Sequence, residues 1–226
     1  MQAVLTGDLI ASTDYSQDLR DEVASALKKE FAILEEEHGG VFSIWRGDSF
    51  QGTLRDAGDA LSVSLRLKAL VNKIEATPSA KKVKSQAPVA DIRIAVAIGE
   101  VANIAAEPAE ANDEVFVKSG QALDSMDKKK RTLLLNSPDS AINRELEVEL
   151  TLLEHIIERW SVASAELVYL KLSGLSDQQI AKQLEISLPA VYKRKKIAGW
   201  NTCEVMIRRY KELLGIITGY RIDKPN

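Results

Sequence analysis

The sequence is poor in the side chains from which many small protein sites are built. Of its 226 residues, one is cysteine (Cys203) and two are histidine (His38 and His155). A single thiol cannot form an internal disulfide, which excludes a cross-linked scaffold. The two imidazoles stand far apart with no ligand spacing around them, so a zinc site is not expected. No run of about eighteen apolar residues occurs, which leaves no candidate for a membrane-spanning helix. The opening residues, MQAVLTGDLIAST, carry no basic start and no cleavage-site pattern, so no secretion signal is expected. Together these absences point to a cytoplasmic protein.

What is present is ordinary for a globular chain: 45% hydrophobic and 28% charged residues, with more Leu, Ile and Val than a disordered chain carries. The length suits one large domain or two modest ones. The net charge of −3 argues against indiscriminate affinity for nucleic acid, but the charge is uneven. Between Gln178 and Glu212 there are eight Lys or Arg against three acids, a local balance of +5. A basic segment on an acidic chain is the footprint of a surface for a phosphate backbone.

Periodicity divides the chain. Ala3 to Leu5 is a short strand ended by Gly7-Asp8. Gln17 to Glu37 repeats apolar residues at helical spacing and stops at His38-Gly39-Gly40. Val41 to Arg46 and Ser49 to Leu54 form a hairpin with Asp48 at its tip. Ala57 to Ile74 is a second helix, and residues 76–90 are a polar loop. Asp91 to Ile98 is a β-branched strand ended by Gly99, residues 100–114 are a loop, Val115 to Lys118 is strand-like, and Gln121 to Lys130 is helical. This order predicts an α+β domain over residues 1–138 with a mainly antiparallel sheet. Residues 139–226 then read as a helical part. In it, Ile142, Leu146, Leu150, Leu153, Ile157 and Trp160 form a seam that either packs on its own domain or serves as a dimerising connector.

Residues 176–200 predict a helix-turn-helix. Ser176 caps the first helix with Gln179 three residues on, a capping box. Ile180, Ala181 and Leu184 make its inner face, Ile186 fills the turn, Ser187 caps the second helix and Val191 anchors it. Tyr192, Lys193, Arg194, Lys195 and Lys196 are then the polar side chains of a helix of the kind that enters a major groove. The segment is similar to the helix-turn-helix of sigma-factor region 4, in which the pattern IA..L.IS...V recurs. That resemblance implies DNA as partner, with Ser187 and residues 192–196 in contact with it. A further helix, Asn201 to Leu214, follows and would either support the module or occlude it.

The first 136 residues carry a second constellation. Asp8 closes the first strand in Thr6-Gly7-Asp8-Leu9-Ile10, and Asp48 tips the hairpin in Arg46-Gly47-Asp48-Ser49. Two carboxylates at neighbouring strand ends can share divalent cations, although Gly-Asp pairs are also common turn formers. With Arg93-Ile94-Ala95-Val96-Ala97-Ile98-Gly99 and the later Asp124 to Lys128, the order resembles class III nucleotide cyclases and polymerase-palm domains. The TGD…RGDSFQ pattern resembles the SatD-like family across the chain. The cyclase resemblance implies a ferredoxin-like palm fold and Mg or Mn held by Asp8, the Ile10 carbonyl and Asp48. It further implies a nucleotide near Arg46 and Arg93, catalytic positions at Asp124 and Lys128, and a homodimer. The chain departs from that pattern: Asp124 stands where cyclases have Asn, Lys128 where they have the transition-state Arg, and Ile44 at the base-selecting position. Lys cannot fork onto a phosphate as Arg does. Two expectations follow. One is a DNA-binding regulator whose cyclase-like domain senses a nucleotide or dimerises. The other is an active cyclase or nucleotidyltransferase with a helix-turn-helix appendage.

Overall fold

Strand β1 (Gln2–Leu9) sits in the middle of the sheet and serves both of its faces. Alternation sends Ala3, Leu5 and Leu9 to one side and Val4, Thr6 and Asp8 to the other. The computed structural model describes residues 1–45, 47–75, 88–102 and 113–218, with the backbone alone at 127–129 and 218. Around β1 are β2 (Phe42–Trp45), β3 (Ser49–Leu54), β4 (Ile92–Gly99) and β5 (Leu133–Asn136), in the order β2-β3-β1-β4-β5. β1 is antiparallel to both β3 and β4, and β2 is antiparallel to β3, but β5 runs parallel to β4. The sheet is therefore mixed, where the element order suggested a mainly antiparallel one. The cause is α3 (Glu114–Lys129), which connects β4 to β5 as a crossover and so returns the chain in the same direction.

α3 also corrects the strand expected at Val115 to Lys118. Buried Val115, Phe116, Ser119, Ala122, Leu123 and Met126 recur at three and four residues, one helical face laid against Val4, Ala95 and Ala97 of the sheet. The opposite face takes α1 (Gln17–His38) and α2 (Ala60–Asn72). β1 itself continues through Gly7 and Asp8 to Leu9. Gly7 is thus no turn residue. A Cβ there would lie 2.4 Å from the Phe50 ring, so the side chain is absent because that ring occupies its place.

The helical part comprises α4 (Ser140–Ile157), α5 (Val162–Leu172), α6 (Asp177–Gln183), α7 (Leu188–Ile197) and α8 (Trp200–Thr218). The α4 seam (Ile142, Leu146, Leu150, Leu153, Ile157, then Trp160) is buried within the chain, so these side chains are not available to a partner. α2 is buried along nearly its whole length, because α5 covers the side that faces away from the sheet. One continuous hydrophobic cluster runs from Ala3 and Leu5 through Leu70 to Leu150, Leu167 and Tyr210.

Charge is buried where the two parts meet. Arg66 of α2 and Glu30 of α1 are 4% and 2% exposed and pair at 2.5 Å. Arg66 also reaches Glu37 at 2.5 Å. From α5, the Tyr169 hydroxyl donates to Glu30 Oε2 at 2.7 Å, and Lys73 Nζ sits 4.4 Å from the Tyr169 ring centroid. α8 is fastened at a second place. Fully buried Tyr210 donates to the Ala57 carbonyl at 2.8 Å, and Lys211 pairs with Asp59 at 2.9 Å. Asp59 also accepts from His38 at 2.9 Å.

Removing one partner of a buried ion pair strands the other, at a cost of about 3–5 kcal/mol. Glu30→Ala and Arg66→Ala are each expected to lower unfolding stability on that scale in denaturant titrations, and the double Glu30→Met/Arg66→Met variant by clearly less than either. Equal losses from all three would contradict the argument. Asp59 supplies a pH test. The His38 hydrogen bond, against an opposing effect of burial and with help from Lys211, lowers its pKa from 3.8 to about 2. A depressed carboxyl stabilises the fold above its unfolded pKa and loses that stabilisation as pH falls to its folded value. The stability difference between wild type and Asp59→Asn, on the order of 2 kcal/mol at neutral pH, should therefore disappear between about pH 4 and pH 2.

Candidate functional site

The helix-turn-helix is built by local chemistry. Ser176 Oγ accepts from the Gln179 amide at 3.3 Å, and Gln179 Oε1 accepts from the Ser176 amide at 2.8 Å, the reciprocal box expected. The turn places Glu185 at φ +52°, and the Ile186 amide bonds back to the Ala181 carbonyl at 3.0 Å. Ser187 Oγ accepts from the Ala190 amide at 3.4 Å. Ile180 and Val191 are fully buried. Beneath them α5 completes a three-helix unit, and Trp160 Nε1 donates to the Ala198 carbonyl at 2.9 Å, which pins the far end of α7.

The structure divides the six expected contact residues by helical phase. Ser187, Tyr192, Lys193 and Lys196 are exposed on the outward face. Arg194 and Lys195 turn inward. Arg194 pairs with Glu166 of α5 at 3.3 Å, and Lys195 pairs with Asp177 of α6 at 2.9 Å. Asp177 also takes Lys171 at 3.1 Å. Burial alone would push the Asp177 carboxyl up, but the hydrogen bonds from Lys195 and Lys171 outweigh it and hold the pKa below its ordinary value. These pairs hold α7 to its neighbours. Glu166 and Asp177 carry no local signal, because their partners on α7 lie 28 and 18 residues away. α8 supports the module and does not occlude it: Trp200, Cys203, Met206, Tyr210 and Leu213 are buried, while Tyr192, Lys193 and Lys196 stay open to solvent.

The N-terminal constellation is assembled differently. The Leu9 amide donates to the Asp48 carbonyl at 2.9 Å, so the hairpin tip does lie beside the end of β1. Both Asp8 oxygens, however, are taken by Arg93, whose Nε and Nη2 reach them at 2.9 and 2.5 Å. Asp48 accepts from Ser12 Oγ at 2.9 Å and from Ser49 Oγ at 3.4 Å. The Ile10 carbonyl accepts from the Tyr15 hydroxyl at 2.7 Å. The three expected metal donors are thus each held by hydrogen-bond donors of this chain. Among the described residues no group of three or more His, Cys, Asp or Glu could hold a metal ion.

Arg93 is bound to Asp8 through two of its guanidinium nitrogens. The Asp8 hydrogen bond raises its pKa against the weaker effect of burial, and the charge of Asp124 adds to the rise. Asp124 is exposed on α3. Arg46 and the Lys128 side chain lie outside the described residues. Between the sheet and α3, Thr6, Gln51 and Ser119 make a polar seam, with Thr6 Oγ1 2.7 Å from Ser119 Oγ and 2.9 Å from Gln51 Nε2. No protein-family model and no curated protein matches the chain.

If Arg93 is what closes the Asp8 end, then Arg93→Met should raise Mn²⁺ affinity by about tenfold, the scale of one bidentate charged contact. Paramagnetic relaxation in a Mn²⁺ titration reads this directly. Asp8→Asn in the same background should abolish the gain, and an Arg93→Met variant that binds Mn²⁺ no better than wild type would sink the idea.

Proposed function

We propose that this is a DNA-binding transcriptional regulator of the SatD-like kind. On this reading residues 139–226 are the output part and residues 1–138 a cyclase-like body that senses a nucleotide or dimerises. The observation that carries it is the outward face of α7. Tyr192, Lys193 and Lys196 are exposed on a helix that a serine cap starts and two inner ion pairs tie to α5 and α6, which suits a groove-reading helix. Such modules commonly act as dimers on two-fold half-sites, so a cytoplasmic homodimer belongs to the same proposal. No helix among the described residues is long and apolar enough to cross a membrane.

A second reading, an active cyclase or nucleotidyltransferase, is favoured by one observation, the hydrogen bond that sets Asp48 beside the end of β1. We place it second because Asp8 is engaged by Arg93 and the Ile10 carbonyl by Tyr15.

The test separates reading residues from holding residues. Removing two phosphate contacts should lessen the slope of log K against log salt by about 0.9 for each. Lys193→Ala/Lys196→Ala is expected to show that change on duplex DNA with melting temperature intact. Arg194→Ala should instead lower the melting temperature and leave the slope alone. Salt-independent binding, or no duplex binding by the wild type, would overturn the proposal.

A further inference from the structure

A cavity of about 460 Å³ lies where α7 ends and α8 begins, lined by Tyr192, Lys195, Lys196, Gly199, Asn201 and Thr202. Its size falls in the range of small-ligand sites, roughly 300–1,000 Å³. Its lining is chemically one-sided: two ammonium groups, two hydroxyls and a carboxamide, and no carboxylate. Lys195 is paired with Asp177 at 2.9 Å, which leaves Lys196 to set the local charge. Lys196 has no carboxylate partner among the described residues. Tyr192 and Lys196 stand four residues apart, so the cavity opens on the same outward face of α7 that carries Lys193. Tyr192 is 53% exposed, and its ring offers an apolar plane beside the cations.

We infer that this cavity is a binding site for a phosphate ester, with Lys196 as its charge, Asn201 and Thr202 as hydrogen-bond donors to the phosphate oxygens, and Tyr192 against the attached sugar or base. An anion surrounded by donors, with an aromatic face for its ester group, matches the lining; a cation or a purely apolar ligand does not. The ester comes either from the backbone of duplex DNA, in which case the site deepens the DNA-binding reading, or from a free nucleotide, in which case it stands without it. Asn201 and Thr202 enter the functional surface on this ground alone, since they lie outside the helix-turn-helix pattern.

The experiment uses the full chain with two probes, a random-sequence duplex followed by fluorescence anisotropy and 5′-AMP followed by amide chemical shifts. Asn201→Asp puts a carboxylate into the cavity, and Asn201→Ala/Thr202→Ala removes both neutral donors. Both positions are exposed, and circular dichroism checks that each variant is folded. Asn201→Asp is expected to weaken the duplex by about tenfold, as befits a lost hydrogen bond to a charged group plus repulsion, and equally for any sequence. The double alanine variant should act in the same direction. Weakening on the duplex without a response to AMP assigns the site to the DNA backbone. AMP shifts centred on Asn201 and Thr202, lost in Asn201→Asp, assign it to a free nucleotide, even if the wild type binds no duplex and the DNA reading fails. Duplex binding that depends on Lys193 but is unchanged in both variants, with AMP unbound, leaves the DNA reading standing and overturns the cavity. With neither probe dependent on Asn201 or Thr202, the inference is wrong.

Discussion

Arg66 and Glu30 meet in the interior where α1, α2 and α5 converge, each more than nine-tenths removed from solvent. A charge in that position is tolerable only while its partner and its hydrogen bonds are in place. The arrangement supplies them from three helices: Glu30 from α1, Arg66 from α2 and the Tyr169 hydroxyl from α5. A purely apolar contact between α2 and α5 could slide by a side chain and repack. This one ties specific polar atoms of three helices together. It therefore fixes where the three-helix unit that begins with α5 sits on the sheet-bearing body, and every helix after it inherits that placement.

The second attachment, through Tyr210, Lys211 and Asp59, works on the same helices from the other end of the chain. α5 and α8 flank α7, and both are tied to the α1–α2 region, one through Glu30 and the other through Ala57 and Asp59. Within that frame Arg194 and Lys195 face inward because α7 needs inner partners: Glu166 is on α5 and Asp177 on α6. Basic residues in one short run thus have two different uses. The partner decides which: Lys193 and Lys196 reach solvent, while Arg194 and Lys195 end on acids of α5 and α6.

The features that sequence made legible are those whose partners lie within a few residues. Ser176 with Gln179, Ser187 with Ala190, and the α4 seam all depend on contacts one helical turn away, and all are present. The period of the α4 seam was readable but its destination was not, because the same spacing serves a dimer or a core. β5 went unseen because Leu133–Asn136 is too short to establish a period. The first turn of α3 resembled a strand because Val115 and Val117 are β-branched, and burial against the sheet overrode that preference. α5 carries apolar residues on most of its circumference, since it is covered by both α2 and α7, and so shows no clear stripe. The pairing of Asp8 with Arg93 spans 85 residues. It follows from the register that sets them opposite each other on β1 and β4, which nothing local in the sequence announces. The same pairing explains why Asp8, read from its position as a cation ligand, is engaged by Arg93 in the folded chain.

These contacts also limit how the body could control the helix-turn-helix. α8 leaves the outward face of α7 uncovered, so simple occlusion by that helix is not available in this arrangement. A contiguous path exists: Arg93 on β4 adjoins Ile92, whose carbonyl accepts from Lys68 of α2 at 2.9 Å. From α2 it passes through Arg66, Glu30 and Tyr169 to α5, and through Glu166 to Arg194 of α7. Adjacency alone carries no coupling, which requires an element with two satisfied arrangements. The Glu30–Arg66–Tyr169 cluster is ill suited to be that element, because parting its members strands a buried charge. α1, α2 and α5 are therefore constrained to move together, and a path through this cluster does not act by bending the α2–α5 contact.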